Sequence, residues 1–134
     1  MTRRWTAAAA LLAAACAAPP RSPDAFAFGV MGDAPYSERE EAAFAAMLPA
    51  VDAEPLAFVV HVGDIKSGAT ACNDALYARR KAQFDASAHP FIYTPGDNEW
   101  TDCRYGRAPD NDPIERLARL REVFFTSPTS LGAT

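Results

Sequence analysis

The chain has 134 residues, of which 49% are hydrophobic and 22% are charged. This length and balance fit one small globular domain with a modest core, and they exclude a chain that is disordered throughout. The formal net charge is −4 at pH 7 and no basic face or basic helix is visible, which argues against nucleic acid as a partner.

The N-terminus has the pattern of an export signal. A short basic head with Arg3 and Arg4 is followed by an apolar stretch, residues 7–15, that ends in small residues suited to cleavage. The stretch is shorter than the roughly 20 residues that a membrane-spanning helix needs. The signal, residues 1–18, is predicted to export the chain to the periplasm, or to anchor it at the cell envelope through a lipid on Cys16. A twin-arginine signal and an Ala-rich disordered tail are the alternatives.

Strand-like and helix-like patterns alternate after this signal. A proline-rich linker, residues 19–24, leads into the predicted domain, residues 25–134. Strands are predicted at residues 25–31, 56–62 and 90–94, where apolar residues run continuously or alternate. The order of the elements predicts an α/β fold with a mainly parallel β-α-β-α-β sheet.

Three helices are predicted between and after these strands. The first should begin after Ser37, its N-cap, and end at Pro49. The second should begin near Asn73 or Asp74. The third should follow Asp112 as N-cap, with Pro113 in its first turn.

Two further segments are predicted to contain neither helices nor strands. Residues 95–111 are rich in Gly, Pro, Asp and Asn and are interpreted as one long loop, a feature often found beside a functional site. Residues 126–134 have polar, turn-like sequence. A sheet of three strands is thin, so we expect this chain to be the first part of a larger domain.

Each predicted strand runs directly into a Gly-Asp pair. The aspartates are Asp33, Asp64 and Asp97, which are 31 and 33 residues apart, about the length of one strand-helix-strand unit. Parallel strands one unit apart end at the same edge of a sheet, where open α/β folds bind ligands. Because three carboxylates at one edge repel each other at neutral pH, the pattern predicts that divalent cations neutralise them.

Cys72 and Cys103 follow the second and third Gly-Asp pairs and are predicted to form a disulfide. Both loops should leave the same sheet edge, and an exported protein enters an oxidising compartment. A bridge that closes a loop of about 32 residues would stabilise the fold by about 3–4 kcal/mol in the chain-entropy model. Two separate thiols are the alternative. A cysteine metal site is disfavoured because the chain has no CxxC spacing.

Taken together, three motifs resemble those of the calcineurin-like metallophosphoesterases. They are GDAPY at residues 32–36, GDIKSG at residues 63–68 and PGDNEW at residues 95–100. In that family an Asp-x-His motif binds one metal ion, a Gly-Asp motif bridges two ions, and Gly-Asn-His-Asp/Glu adds an Asn ligand and a His that assists the leaving group. The resemblance covers roughly residues 25–125 and implies the first half of a metallophosphoesterase α/β sandwich, a partial domain.

The resemblance also implies a set of metal ligands. Carried over by position, Asp33 would bind the first ion, Asp64 would bridge both ions, and Asp97 would stand at the place of the Asn ligand. The implied cofactors are two divalent metal ions (Mn, Fe, Zn or Mg), about 3.5–4 Å apart, which together clamp a phosphoryl oxygen.

Two positions depart from the family pattern. Asn98 stands where the family has its catalytic His; its amide could hold a phosphate oxygen, but it cannot donate a proton near neutral pH. Pro35 replaces the His of the first motif, and Tyr36 beside it is near enough to serve.

The implied function is metal-dependent hydrolysis of phosphate mono- or diesters, with a small-molecule phosphate ester as the partner. The family's later histidine segments do not occur in these 134 residues, so the alternative is a non-catalytic or truncated member that binds metal weakly. A Rossmann-like nucleotide-binding module is disfavoured because no GxGxxG follows the first strand.

Three other polar residues near the motifs are assigned to the surroundings of the site. His61 is predicted to be a core or edge histidine, and Lys66 is predicted to be a solvated loop lysine. Glu99 is left open between a place behind the metal ligands and the cap of a following turn.

Overall fold

The computed structural model describes Ser22, residues 24–105 and residues 111–134. The predicted signal with Cys16, most of the linker and residues 106–110 lie outside the described residues. The described part is an α/β structure with a four-stranded mixed sheet and three α-helices, which confirms the predicted fold class. None of its helices is both long and apolar enough to cross a bilayer.

The sheet has the strand order β1-β2-β3-β4. Its strands are β1 (Gly29–Met31), β2 (Val59–His61), β3 (Pro90–Tyr93) and β4 (Leu131–Gly132). The first three are parallel to one another, as predicted, and β4 pairs antiparallel to β3. The register aligns Met31, His61 and Tyr93, the last residues of the three parallel strands. The Gly-Asp turns therefore leave the sheet at one edge.

The helices begin at the predicted N-caps. They are α1 (Glu38–Asp52), α2 (Asp74–Asp85) and α3 (Pro113–Phe124). The side-chain oxygens of Ser37, Asn73 and Asp112 each accept a hydrogen bond from a backbone N–H in the first turn, at 3.3, 2.9 and 2.7 Å. Each cap satisfies one of the donors that a helix start leaves unpaired.

The prediction that the first helix ends at Pro49 is wrong, because α1 continues to Asp52. A proline removes one N–H donor and crowds the carbonyl four residues earlier, so near the end of a helix it disturbs only one turn. The N–H of Ala53 donates to the Pro49 carbonyl at 3.2 Å, which closes the last turn beyond the proline.

Two elements were not predicted. The long loop contains a short 3₁₀ helix, Thr101–Arg104. The polar C-terminal segment contains β4, whose two residues pair with Pro90 and Phe91. A two-residue strand has no alternation of its own and depends on its neighbour, so the local sequence carries no signal for it.

The core lies between one face of the sheet and the helices. It includes strand residues Val59, Phe91 and Tyr93 and helix residues Phe44, Leu76, Tyr77, Phe84, Leu120 and Phe124. On the opposite face, Val30 and Ile92 are aligned with Val60 across the three parallel strands and are 61% and 45% exposed. The described helices therefore cover one side of the sheet.

The predicted disulfide is present. Cys72 and Cys103 are bonded, with their Cα atoms 5.6 Å apart. The bridge joins the loop after β2 to the 3₁₀ helix after β3, and both cysteines are buried. It therefore holds together the two chain segments that follow the second and third Gly-Asp pairs.

Candidate functional site

The first two Gly-Asp turns share an unusual backbone conformation. Asp33 and Asp64 have φ angles of 55° and 59°, in the left-handed region that residues other than glycine seldom adopt. The Asp33 N–H donates to the Gly63 carbonyl at 3.2 Å, which joins the two turns. Strained backbone of this kind is concentrated at functional sites, so it directs attention to these two carboxylates.

The second and third turns are in contact because both contain glycine. A Cβ atom on Gly63 would overlap the backbone of Gly96, and a Cβ atom on Gly96 would overlap the Asp64 carboxylate and backbone N–H. Only glycine at both positions allows this close approach. The Asp64 carboxylate therefore lies directly against the third turn.

Four side chains meet at this edge and form what we call the Tyr36 cluster: Asp33, Tyr36, Asp64 and Asn98. The Tyr36 hydroxyl lies 3.2 Å from Asp33 Oδ1 and 3.2 Å from Asp64 Oδ2. Asn98 Nδ2 donates to the same hydroxyl at 3.2 Å, and the Asn98 backbone N–H donates to Asp64 Oδ1 at 3.2 Å. The structure thus brings together three of the predicted site residues around a tyrosine.

The Tyr36 cluster has one hydroxyl proton for two carboxylate oxygens that lie within hydrogen-bond distance of the hydroxyl. A phenol has one O–H, so Tyr36 can donate to only one of the two carboxylates. The other carboxylate then faces the phenol oxygen with no proton between the two atoms. Partial burial and the negative charge of Asp64 raise the pKa of Tyr36, so its hydroxyl keeps its proton at neutral pH. A cation beside the carboxylates would remove this deficit.

Asp97 is the predicted ligand that takes no part in the cluster's hydrogen bonds. Its side chain is exposed, and its backbone carbonyl accepts the N–H groups of Trp100 and Asp102 at 3.2 and 3.1 Å. Within residues 24–105 and 111–134, no three His, Cys, Asp or Glu side chains are grouped closely enough to hold a metal ion. The third turn contributes Asn98, one residue later, in place of a third carboxylate.

Glu99 lies behind the Tyr36 cluster and is fully buried. Its Oε1 accepts hydrogen bonds from the Asp64 N–H at 3.0 Å, the Gly96 N–H at 2.9 Å and the Tyr93 hydroxyl at 2.8 Å. Burial raises the pKa of Glu99, although these hydrogen bonds oppose the shift. Glu99 therefore lies behind the predicted metal ligands, and its hydrogen bonds fix the turn that carries Asp64.

His61 is a core histidine, as predicted. It is fully buried between Phe44 and Phe84, and its Nδ1 accepts a hydrogen bond from the Gly63 N–H at 3.1 Å. Burial lowers the pKa of His61 to about 4, so the ring is neutral at physiological pH. Through its hydrogen bond to Gly63, the ring helps to fix the backbone of the second Gly-Asp turn.

The prediction that Lys66 is solvated is wrong. Its side chain is 1% exposed, and its Nζ donates to the Ser67 carbonyl at 3.0 Å. Burial lowers the pKa of Lys66, while Glu99, Asp102 and Asp64 oppose the shift by their negative charge. The loop sequence gives no sign of this burial, because the groups that act on Lys66 include Glu99 and Asp102, which are more than 30 residues away in the sequence.

The donor atoms of the Tyr36 cluster define what it could hold. The carboxylate oxygens of Asp33 and Asp64 are hard donors, which suit Mg²⁺, Mn²⁺ or Ca²⁺, whereas Asn98 turns its Nδ2 toward the Tyr36 hydroxyl. His61 is buried in the core, and its Nδ1 is engaged by the Gly63 N–H. The donor set therefore favours oxygen-preferring cations over zinc.

Comparisons with known proteins leave the site to be interpreted on its own geometry. A scan against protein-family models, a search of curated proteins and a search of solved structures all find no match.

Proposed function

We propose that this domain hydrolyses phosphate mono- or diesters at a metal site built on the Tyr36 cluster. The observation that carries the proposal is the meeting of two carboxylates over a single phenol proton at the carboxyl edge of a parallel sheet. We further propose that the fold corresponds to the first half of a metallophosphoesterase α/β sandwich, as the three Gly-Asp motifs suggest.

The residues of the cluster fit divalent cations by their chemistry. Asp33 and Asp64 would hold the ions through their carboxylate oxygens. Bound divalent ions would supply positive charge that polarises a phosphoryl oxygen and lowers the pKa of a water. Asp97 stays a ligand only on the strength of the motif, since its exposed side chain makes no hydrogen bond to the cluster.

The protein's own groups would position the ester. At the sheet edge Tyr36 carries an O–H donor and Asn98 carries N–H donors. These groups can donate hydrogen bonds to non-bridging phosphate oxygens. Neither group donates a proton to a leaving alcohol near neutral pH: Asn98 has no acidic proton, and the raised pKa of Tyr36 makes it a weak acid. We therefore expect slow turnover that favours esters whose leaving alcohol is itself acidic.

The second candidate function is binding of a metal ion or a phosphate without turnover. It is favoured by one observation: in the described part of the chain, the Tyr36 cluster contains no histidine. A site without an acid for the leaving group can still bind the same ions and anions.

One pair of measurements separates these functions. Hydrolysis of 4-nitrophenyl phosphate and bis(4-nitrophenyl) phosphate is followed with Mn²⁺, and Mn²⁺ binding is followed by electron paramagnetic resonance. Asp64→Asn should lower both turnover and Mn²⁺ binding, turnover by roughly 100-fold. The matched control is Asp85→Asn, which removes a carboxylate that pairs with Lys81 on the exposed side of α2.

Each outcome has one reading. Metal-dependent turnover lost in Asp64→Asn supports hydrolysis. Mn²⁺ binding without turnover supports the second candidate. If Asp64→Asn and Asp85→Asn bind Mn²⁺ as the parent protein does, the Tyr36 cluster is not the metal site.

A further inference from the structure

A cavity of about 490 Å³ lies beside the Tyr36 cluster, between the start of α1 and the loop after β2. Tyr36 lines both the cavity and the cluster. The cavity's apolar wall is formed by Pro35, Ala69, Ala71 and Leu76, and its polar wall by Ser37, Glu38, Glu41, Lys66, Ser67, Thr70 and Arg80. An occupant would therefore touch apolar and polar surfaces together and would end next to the proposed reaction site.

Of the two cations in this wall, Arg80 is already satisfied. Its Nε donates to the Ile65 carbonyl at 2.8 Å, and its terminal nitrogens bind both oxygens of Glu41 at 2.5 and 2.9 Å. A third partner, the side-chain oxygen of Gln83, lies 3.0 Å away. Accordingly, the hydrogen bond from Arg80 lowers the pKa of Glu41. In this pair the charge of the buried Arg80 is already matched by the half-buried Glu41, so Arg80 has no unpaired charge to offer a ligand.

Lys66 is different, because most of its hydrogen-bonding capacity is unused. An ammonium has three N–H donors, and Lys66 uses one, to the Ser67 carbonyl, among the residues that the structure describes. No carboxylate there lies within ion-pair distance of it. The negative charges of Glu99, Asp102 and Asp64 act on this buried ammonium only from beyond that distance, so a negative group in the cavity would gain free energy by pairing with it directly.

Two hydroxyl groups near Lys66 can add to such a contact. Ser67 Oγ and Thr70 Oγ1 lie 2.9 Å apart and share one hydrogen bond. Two hydroxyls have two protons, so one proton is left for an acceptor. The remaining acid of the wall, Glu38, is exposed in the first turn of α1, where water and salt screen its charge.

We propose that the cavity binds the alcohol part of the phosphate ester, and that Lys66 selects alcohols that carry an anionic oxygen group such as a carboxylate. This inference rests on the proposed function, since it assumes that the phosphoryl group lies at the Tyr36 cluster. The apolar wall would contact the carbon skeleton, and Lys66 would contact the negative end. Lys66 is thus a specificity-determining residue for substrates with a second anionic group.

The chain offers an internal control, because it has two lysines, Lys66 and Lys81. With ¹⁵N-labelled lysine, the two Nζ resonances can be followed by NMR while 4-hydroxybenzoate or phenol is added to the metal-free protein. We expect 4-hydroxybenzoate to shift the Lys66 resonance and to leave Lys81, which pairs with Asp85 on the surface, unmoved. Equal effects of the two compounds on Lys66, or no effect of either, would overturn the inference.

A kinetic comparison tests the same contact during turnover. The ratio of kcat/KM for 4-carboxyphenyl phosphate to that for phenyl phosphate is measured with Mn²⁺ in the parent protein, Lys66→Met and Lys81→Met. We expect Lys66→Met to lower this ratio by about tenfold, the effect of one charge-assisted hydrogen bond, and Lys81→Met to keep the parental ratio. An unchanged ratio in a folded Lys66→Met protein contradicts the proposal. If that variant does not fold, the NMR titration of the parent protein decides.

The two proposals fail in different ways. Hydrolysis of both esters with no preference for the carboxylated one would leave the proposed function in place and remove this inference. No hydrolysis of either ester, with Lys66 still shifted by 4-hydroxybenzoate, would remove the proposed function and leave a binding cavity for anionic aromatic alcohols.

Discussion

Glu99 Oε1 accepts the backbone N–H of Asp64 at 3.0 Å, although 35 residues separate the two in the sequence. The same oxygen accepts the N–H of Gly96 and the hydroxyl of Tyr93. One buried carboxylate oxygen thus fixes the second and third Gly-Asp turns relative to each other, and with them the Asp64 side chain.

Removing this oxygen should therefore destabilise the fold. Glu99→Ala would leave three donors without an acceptor, one of them the buried Tyr93 hydroxyl, so we expect the free energy of unfolding to fall by about 3 kcal/mol. Glu99→Gln keeps an acceptor oxygen and should cost about 1 kcal/mol. Urea unfolding measures both, with Glu122→Ala on the exposed side of α3 as the control. Equal losses for the two Glu99 variants would mean that the charge of Glu99 matters and its role as an acceptor does not.

The titration of Tyr36 should report on the carboxylates around it. Partial burial and then the charge of Asp64 raise the pKa of Tyr36, so Asp64→Asn should lower that pKa toward its ordinary value. The change is measured by near-ultraviolet absorbance during alkaline titration, and Tyr36→Phe identifies which step belongs to Tyr36. If the pKa of Tyr36 is the same in Asp64→Asn as in Asp85→Asn, the Asp64 carboxylate does not lie beside this phenol.

The bond between Cys72 and Cys103 should contribute a large share of the stability. The cysteines are 31 residues apart, and the chain-entropy model gives about 3–4 kcal/mol for a loop of that length. The double variant Cys72→Ala/Cys103→Ala should lose this amount in urea unfolding. Reduction with a thiol should reproduce the loss in the parent protein and have no effect on the double variant; an effect on both would assign the loss to something other than the bridge.

His61 should make the fold sensitive to acid. Burial lowers its pKa from 6.5 to about 4, so between these values the unfolded chain binds a proton that the folded protein does not. The free energy of unfolding should therefore fall as pH decreases from 6.5 to 4, by up to about 3 kcal/mol, and be fully recovered above 6.5.

Comparison with His61→Leu isolates this contribution. Glu99, whose pKa is raised, acts in the opposite direction in part of the same range, and it is present in both proteins. The parent protein should lose more stability than His61→Leu on acidification from pH 6.5. Equal losses in the two proteins, or an NMR titration of His61 with a midpoint near 6.5, would contradict the prediction.

The strand ends and helix starts could be predicted because their causes are local. A Gly-Asp pair ends each parallel strand, and Ser37, Asn73 and Asp112 supply cap oxygens that bind N–H groups only a few residues away. Parallel pairing then follows from the alternation of strands and helices. The meeting of Asp33 and Asp64 is a consequence of that pairing.

What could not be predicted depends on contacts between distant segments. Lys66 is buried near Glu99 and Asp102, which are distant in the sequence, and β4 forms by pairing with β3. Asn98 joins the Tyr36 cluster and Asp97 does not, because of how the third turn packs against Asp64. A motif fixes which residues reach the sheet edge, but the direction of each side chain there depends on its neighbours.

The left-handed backbone at Asp33 and Asp64 has a consequence for how this sequence can change. Glycine at either position would fit that conformation without the roughly 1 kcal/mol that an L-residue costs there. Selection for a sturdier fold alone would thus replace the two acids by glycine and erase the negative charge of the site. Acids at these two positions are what the proposed metal site requires, and they carry a cost in stability that glycine would avoid.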